Sequence, residues 1–428
     1  MSTTQNTSNA LPDTWCSQSL SAFNAGRPGT VDPANCADET FEYYSIPAYL
    51  TDQRPTLAMG CEIGSLKLLL DAGTILFGKL NPRVEKVWRV GNFTKHRKIG
   101  STEWIPLVPR NGVDEQFLYF LMWSEHVMPK AKKLVSGSTP SRQRVDPRSF
   151  HCIEAPLPPL PEQRKIAGVL GMVQRSIEQQ ERLFALNTEL KKVLLHQLFT
   201  HGLRGEPQKK TEIGPVPEGW KQRPLAQTGE VVYGIQAAVA SNLKPVGTKI
   251  LTNKNITLDG RIVLEKINYF VLKTKRHYET VLKKGDLLFN WRSGSKEHVG
   301  KTAYFDLAGE FVHSSFILRI RPSDEVTGRY LFHYLNFLRE SGFFLKRQTF
   351  SVNAKFNKSA INELPTYLPG EEERREIVDA LDAVGKKLEV LQAKRRLLED
   401  LFRTLLHQLM TAQIRIHNLD LPELEIAQ

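Results

Sequence analysis

"LPPLPEQRKIAGVL", Leu157–Leu170, passes from a proline-stiffened segment straight into an amphipathic helix. Pro158, Pro159 and Pro161 hold the backbone extended and cannot continue a helix. Glu162 then places negative charge at the positive end of the helix dipole. Further along, "LPTYLPGEEERREIVDAL", Leu364–Leu381, makes the same transition, with Glu371–Glu373 as its acidic start. Ile166 and Ile377 lie 377 − 166 = 211 positions apart. At that offset Leu170 meets Leu381, Val173 meets Val384 and Ile177 faces Leu388. Leu186 and Leu190 meet Leu397 and Leu401, and "LLHQL" (Leu194–Leu198) recurs intact as Leu405–Leu409. An identical pentapeptide in phase with so many apolar matches marks an internal duplication, which sets the terms for every other reading of the fold.

The duplication reaches outside the helices. "LPDTW" (Leu11–Trp15) pairs with "VPEGW" (Val216–Trp220) at 220 − 15 = 205, and "GTILF" (Gly73–Phe77) with "GDLLF" (Gly285–Phe289) at 285 − 73 = 212. "FLYFLM" (Phe117–Met122) echoes "YLFHYL" (Tyr330–Leu335). Between these landmarks the halves differ: "STEWIPLVPRNG" (Ser101–Gly112) has no counterpart. Two modules share a frame and carry different surfaces, as expected if each recognises something different. The bodies read as mixed α/β. "EKVWRV" (Glu85–Val90) and "SSFILRIRP" (Ser314–Pro322) have strand character, and "DEQFLYFLMWSEHV" (Asp114–Val127) has helical spacing. The expected layout is a first body, 1–156; a junction and long helix, 157–205; a linker, 206–213; a second body, 214–363; a second junction and helix, 364–416; and a tail, 417–428.

In the second helix Ile377, Leu381, Val384, Leu388 and Leu391 alternate steps of four and three, then Leu398, Phe402, Leu405 and Leu409, with Arg395 the polar intruder. That is a heptad seam. The first helix follows it through Ile166, Leu170, Val173 and Ile177; Gln180 breaks it, and the apolar face is expected to drift to Leu183, Leu186 and Leu190, with Leu194 beyond. The predicted seam also includes Leu401. So narrow a stripe suits a helix partner better than a broad core face. The partner is either the other copy in the same chain or a second molecule; two equal helices in one chain, joined through a whole domain, can pair antiparallel, and the duplicated junctions would then hold two bodies at a set distance and angle.

The chain has 428 residues, with 58 Lys plus Arg against 46 Asp plus Glu, a formal charge of +12. Such a surplus favours polyanions, nucleic acid above all. The four cysteines, Cys16, Cys36, Cys61 and Cys152, lack the close spacing of a zinc site and are too sparse for a disulfide framework, so a cytoplasmic setting is expected. The first ten residues lack a signal-peptide pattern, and no apolar run approaches the roughly 20 residues of a membrane span.

No catalytic motif stands out in the sequence. "GSKEHVGKT" (Gly294–Thr302) ends like a phosphate-binding loop, but Ser295 stands where the first glycine is needed. His196 and His407 recur on the helices without a metal-ligand partner one turn away. Nucleic-acid-like features follow the paired glycine strands. "GKLNPRVEKVWR" (Gly78–Arg89) offers Lys79, Asn81, Arg83 and Lys86. "NWRSGSKEHVGK" (Asn290–Lys301) offers Asn290, Arg292, Ser293, Lys296 and Lys301. Arg and Asn read base edges, whereas Lys mostly meets phosphate; Arg83 and Arg292 are the expected base readers. Further basic clusters are Lys130, Lys132, Lys133, Arg142 and Arg144 in the first half, and Lys346, Arg347 and Lys355 in the matching place of the second. Any one could be solvated surface charge. Their recurrence at equivalent positions favours a shared role.

The plan resembles the specificity subunit of type I restriction–modification systems. The resemblance covers nearly the whole chain and rests on "PLPEQRKI" (Pro159–Ile166), "LLHQLFTHGLRG" (Leu194–Gly205), "GPVPEGW" (Gly214–Trp220), "GDLLF" and the duplication. The second junction departs from the pattern, carrying "LPGEEERREI" without the Glu-Gln-Arg order. The resemblance implies two α/β target recognition domains separated by two long helices in an intramolecular antiparallel coiled coil. Each domain would read half of a bipartite, asymmetric double-stranded DNA target, and the helices would set the gap. It implies two methylase subunits docked on the helical regions, with a motor–nuclease subunit as a further partner, and no membrane. S-adenosylmethionine, ATP and Mg would belong to those partners, and this chain would catalyse nothing. The alternatives are a coiled-coil scaffold without DNA readout, or an enzyme with a dispersed active site.

Overall fold

Gly73 and Gly285 each turn the chain into a buried strand, and both stand at positive φ, +86° and +93°, a conformation that a Cβ disfavours. The strands they open, Ile75–Gly78 and Leu287–Asn290, are buried along their whole length. Burial on both faces explains why they read as continuous apolar runs rather than alternating ones. In the first body Ile75–Gly78 lies between antiparallel neighbours Val87–Arg89 and Trp104–Leu107. In the second, Leu287–Asn290 lies between Thr302–Tyr304 and Ile317–Pro322, with Gly229–Tyr233 beyond. The computed structural model describes residues 11–137, 139–236, 243–244, 246–347 and 354–416. The tail at 417–428 and the side chain of Lys355 lie outside the described residues.

Each body is closed by its own first and last strands. Cys16–Ser19 pairs antiparallel with Glu154–Leu157, beginning Cys16 to Leu157. Lys221–Pro224 pairs with Pro365–Leu368, beginning Lys221 to Leu368. These registers are equivalent, since 221 − 16 = 205 and 368 − 157 = 211, the offsets of the flanking repeats. Each body adds a second sheet of its own. The first has a five-stranded sheet in the order Thr30–Val31, Lys67–Leu70, Arg97–Gly100, Thr40–Tyr44, Thr56–Met59. In the second, a four-stranded sheet centres on Asn268–Phe270 and Thr248–Leu251.

Four helices position everything discussed below. α1 is Glu115–Trp123, capped by Asp114 accepting from Phe117 N at 2.8 Å. α2 is Leu160–His201, α3 is Glu325–Glu340 and α4 is Glu371–Met410. α1 and α3 are equivalent, and the core faces of both are fully buried. At about 1.5 Å per residue the 42-residue α2 is about 63 Å long.

The chain forms two units, one holding residues up to Glu181 and from Ala393 onward, the other Arg182–Gln392. Each long helix is therefore shared. In the first unit Ile166, Ala167, Val169 and Leu170, early in α2, share a core with Leu409 and Met410, late in α4. In the second, Leu195, Leu198 and Phe199, late in α2, share a core with Ile377, Val378 and Leu381, early in α4. Start meets end in both units, so the pairing is antiparallel.

The two junctions use one device. Trp15 Nε1 donates to Glu162 Oε2 at 2.9 Å, and Trp220 Nε1 to Glu373 Oε2 at 3.3 Å. Arg415 closes on Glu162 at 3.2 Å, while Leu203 N donates to Glu373 at 2.8 Å. Gln163 Nε2 donates to Pro158 O at 2.8 Å. In the departing second junction Arg374 Nη2 donates to the equivalent Pro369 O at 3.3 Å. The altered Glu-Gln-Arg order therefore preserves the contact.

Two readings of the sequence are corrected. The stretch 206–213 is not a plain linker: Gln208–Thr211 forms a hairpin with Gly214–Pro217, and Gly214 at φ +115° makes the turn. The seam of α2 does not drift after Gln180. Gln180 and Asn187 are buried within it, with Phe184 half-buried between them, while Leu186 and Leu190 are 58% and 47% exposed. Leu401 on α4 is likewise 45% exposed. Heptad phase, not apolarity, decides which face is covered. Asn187 settles its amide on Leu183 O at 2.7 Å, and Arg395 meets Glu399 at 2.8 Å and Glu181 at 3.7 Å. The other predicted seam residues, Val173, Ile177, Leu194, Val384, Leu388 and Leu405, are half-buried.

Candidate nucleic-acid interface

In the first body, two basic segments far apart in sequence fold into one face. The turn after strand Ile75–Gly78 is stitched to the segment before the junction: Asn81 N donates to Gln143 O at 2.8 Å and Val145 N to Lys79 O at 3.0 Å. Leu80 and Arg144 form a β-bridge. Lys132 pairs with Glu85 across the same seam. Arg144 grips Glu103 through Nε and Nη2 at 3.0–3.2 Å, which raises its pKa. Arg83, Lys133 and Arg142 are exposed, and their side chains make no ion pair or hydrogen bond among the described residues. Lys79 is half-buried beside them, and Lys130 rests on Glu154 O at 2.9 Å.

The second body repeats the construction with different residues. Strand Arg292–Ser293 pairs with Ala354–Lys355, Arg292 opposite Lys355. That pair corresponds to the Leu80–Arg144 bridge, because 292 − 80 = 212 and 355 − 144 = 211. Arg292 is held by aromatic faces rather than by a carboxylate. Its guanidinium carbon lies 4.2 Å from the Phe316 ring centroid and 5.2 Å from that of Trp291. Trp291 is itself fixed by Nε1 donating to Ser315 O at 2.7 Å. A stacked arginine keeps its terminal nitrogens free for a bidentate partner. Ser293 is half-buried beside it, accepting from Ser295 N at 3.3 Å. Lys346 and Lys296 are exposed; Arg347 pairs with Glu212 and stacks on Phe343 at 4.1 Å.

Three predicted DNA contacts are instead interior. Lys86 is 3% exposed and spends its ammonium on Asn81 O at 3.1 Å and on Val84 O, and burial lowers its pKa. Lys301, also 3% exposed, donates to Asn253 O and Ile256 O at 2.6 Å each; burial lowers its pKa to about 8. Asn290 is fully buried, its amide on His298 O at 2.6 Å. Each closes a loop's backbone, because a carbonyl turned inward needs a donor. Asn81 keeps its place on the face, at φ 47°, with Oδ1 unpartnered. No sequence signal marks the residues that hold these groups, Glu85, Glu103, Glu212 and Phe316, since every partner is remote along the chain.

The fold agrees with what the chain is similar to. A family model described as type I restriction modification DNA specificity domain matches residues 217–400. The MjaVIII specificity subunit of the type I restriction enzyme of Methanocaldococcus jannaschii is 23% identical over 345 residues, 77% of each chain. A putative MjaX specificity subunit from the same organism is 30% identical over 223 residues, about half of each chain. A chain from a solved structure on complex assembly and conformational transition of the type I R-M system superposes with TM-score 0.59 at 20% identity, covering 95% of this chain and all of that one.

Residues 217–400 match the type I restriction–modification DNA specificity domain, and the chain is similar over most of its length to a type I specificity subunit. That similarity supports a DNA-specificity role over the scaffold and dispersed-enzyme readings. Among the described residues no cluster of His, Cys, Asp or Glu could hold a metal ion, and no helix is long and apolar enough to cross a membrane.

Proposed function

We propose that each body of this specificity subunit reads one half of a bipartite, asymmetric DNA target through the two equivalent faces, while α2 and α4 set the gap. One observation carries the reading. The same pair of backbone positions is bridged in both bodies, Leu80 with Arg144 and Arg292 with Lys355, and the side chains around that frame differ. A shared frame with unlike side chains delivers two unlike half-sites. Arg83 and Arg292 are the base readers; Lys79, Asn81, Lys132, Lys133, Arg142, Arg144, Ser293, Lys296, Lys346, Arg347 and Lys355 supply phosphate and groove contacts.

Two methylase subunits dock on the long helices, and the exposed leucines at repeat-equivalent places, Leu186 with Leu190 and Leu397 with Leu401, supply the apolar part of each contact. S-adenosylmethionine is held by the methylase, and ATP with Mg by a motor–nuclease partner, in the cytoplasm. The test is an exchange of 225–364 for the matching segment of another specificity subunit. Both closing strands, Lys221–Pro224 and Pro365–Leu368, then stay native. Methylation mapping in cells is expected to show one half-site changed and the other retained; a change in both would sink the reading.

A further inference from the structure

The two bodies meet their long helices at equivalent points by opposite means. In the first unit α1 presents Gln116 and Phe120 to Gly171 of α2 and to Phe402 of α4. A Cβ at Gly171 would collide with Gln116 Nε2, and the Phe120 and Phe402 ring centroids lie 5.9 Å apart. In the second unit the equivalent positions are Arg329 and His333 of α3 and Asp382 of α4, since 329 − 116 = 213, 333 − 120 = 213 and 382 − 171 = 211. Here Arg329 Nη1 and His333 Nε2 both reach Asp382, each at 2.8 Å. Arg329 is also seated on the Tyr304 ring, 4.8 Å from its centroid. His333 is 3% exposed.

The joint around this triad is not filled. A cavity of about 670 Å³ lies between body and helices, bordered by the triad, by Phe184 of α2 and by Gly385 of α4. On its far side Arg261 Nη1 donates to Gln392 Oε1 at 2.6 Å. Apolar contact holds α3 on α2 instead, through Phe199 against Tyr330, Tyr334 and Phe337 at 5.1–5.6 Å. The body is held on the α2 side by rings and at the start of α4 by buried Ile377, Val378 and Leu381, while beyond Leu381 the triad beside the cavity is the contact that fixes its angle.

We infer that Arg329, His333 and Asp382 form a latch that fixes the angle of the second body on its helix, and that they are positioning residues for the second half-site. The first body has no counterpart of this latch: at the equivalent place Gln116 lies against Gly171 and Phe120 against Phe402. The inference rests on the proposed reading of two half-sites separated by a set gap.

The test is a DNA library carrying both half-sites at randomised spacing, methylated by the assembled complex of this chain with its cognate methylase. Asp382→Ala is expected to leave the bases read unchanged but broaden the accepted gap, raising methylation at neighbouring gaps several-fold relative to the original. Asp382→Asn keeps the volume and the histidine contact and removes the charge, so it is expected to broaden less. The exchange Arg329→Asp with Asp382→Arg is expected to narrow the profile again. A profile as narrow as the wild type's in a folded Asp382→Ala, or in Asp382→Asn if the alanine variant does not fold, would overturn the latch. A wild-type profile already flat across all gaps would overturn the functional reading and the latch together.

Discussion

Lys86 and Lys133 are both lysines of the first body, yet only Lys133 is free to meet a phosphate. Lys133 is exposed and unpaired among the described residues, whereas Lys86 is buried on two carbonyls. Lys133→Ala in the assembled complex is expected to reduce the steepness of log K against log salt by about 0.9, the increment of a single phosphate neutralised, with the bases read unchanged. Lys86→Ala is expected to leave that slope alone and to lower stability by about 1–3 kcal/mol, because two inward carbonyls are left without their donor. Binding measured across a salt series, with melting measured alongside, separates them; an altered slope for Lys86→Ala would show that its ammonium reaches DNA. Residue types and spacing made the basic clusters legible. Which lysines lie inside was not, because that depends on backbone carbonyls such as Asn253 O and Ile256 O turning toward Lys301 from 48 and 45 residues away.

At the scale of elements, α2 carries two kinds of leucine. Leu170 is fully buried in the first unit's core and Leu190 is 47% exposed. Leu170→Ala is expected to cost about 2–5 kcal/mol, the range for a large-to-small core change. Leu190→Ser should stay within about 0.5 kcal/mol, as surface changes do, and instead weaken methylase capture. Thermal melting and a pull-down of the methylase check both; a loss of stability for Leu190→Ser as large as that for Leu170→Ala would put Leu190 back in the seam. The start and antiparallel pairing of both helices could be anticipated from the heptad steps and the duplicated junctions. The middle of the seam could not, because Gln180 and Asn187 occupy it at the cost of polar burial. A buried polar residue at such a position is a known means of fixing register.

For the whole molecule, the reading of α2 and α4 as a ruler has a direct test. Deleting Ser176–Arg182 and Lys387–Ala393, matched at 387 − 176 = 211, keeps the heptad phase and shortens both helices by about 10 Å at 1.5 Å per residue. At about 3.4 Å per base pair the favoured gap is expected to shrink by about three base pairs. That shift also turns one half-site by about 100° around the DNA, at 10–10.5 base pairs per turn, so weaker methylation at every gap is part of the expectation. Full methylation at the original gap by the folded deletion variant would show that the helices do not set it.

The sequence by itself determined the duplication, the two α/β bodies, the proline junctions and the long helices with their heptad phase. These are local or periodic properties: a proline restricts its own backbone, and a heptad repeats along one helix. Only the tertiary structure decided that 208–217 is a hairpin, that Leu80 with Arg144 and Arg292 with Lys355 are the same bridge, and that Lys86, Asn290 and Lys301 are interior. It also decided that equivalent positions are close-packed at Gly171 and ion-paired at Asp382. Each of these depends on groups brought together from distant parts of the chain, where burial and pairing are set by the neighbour and not by the residue's own type.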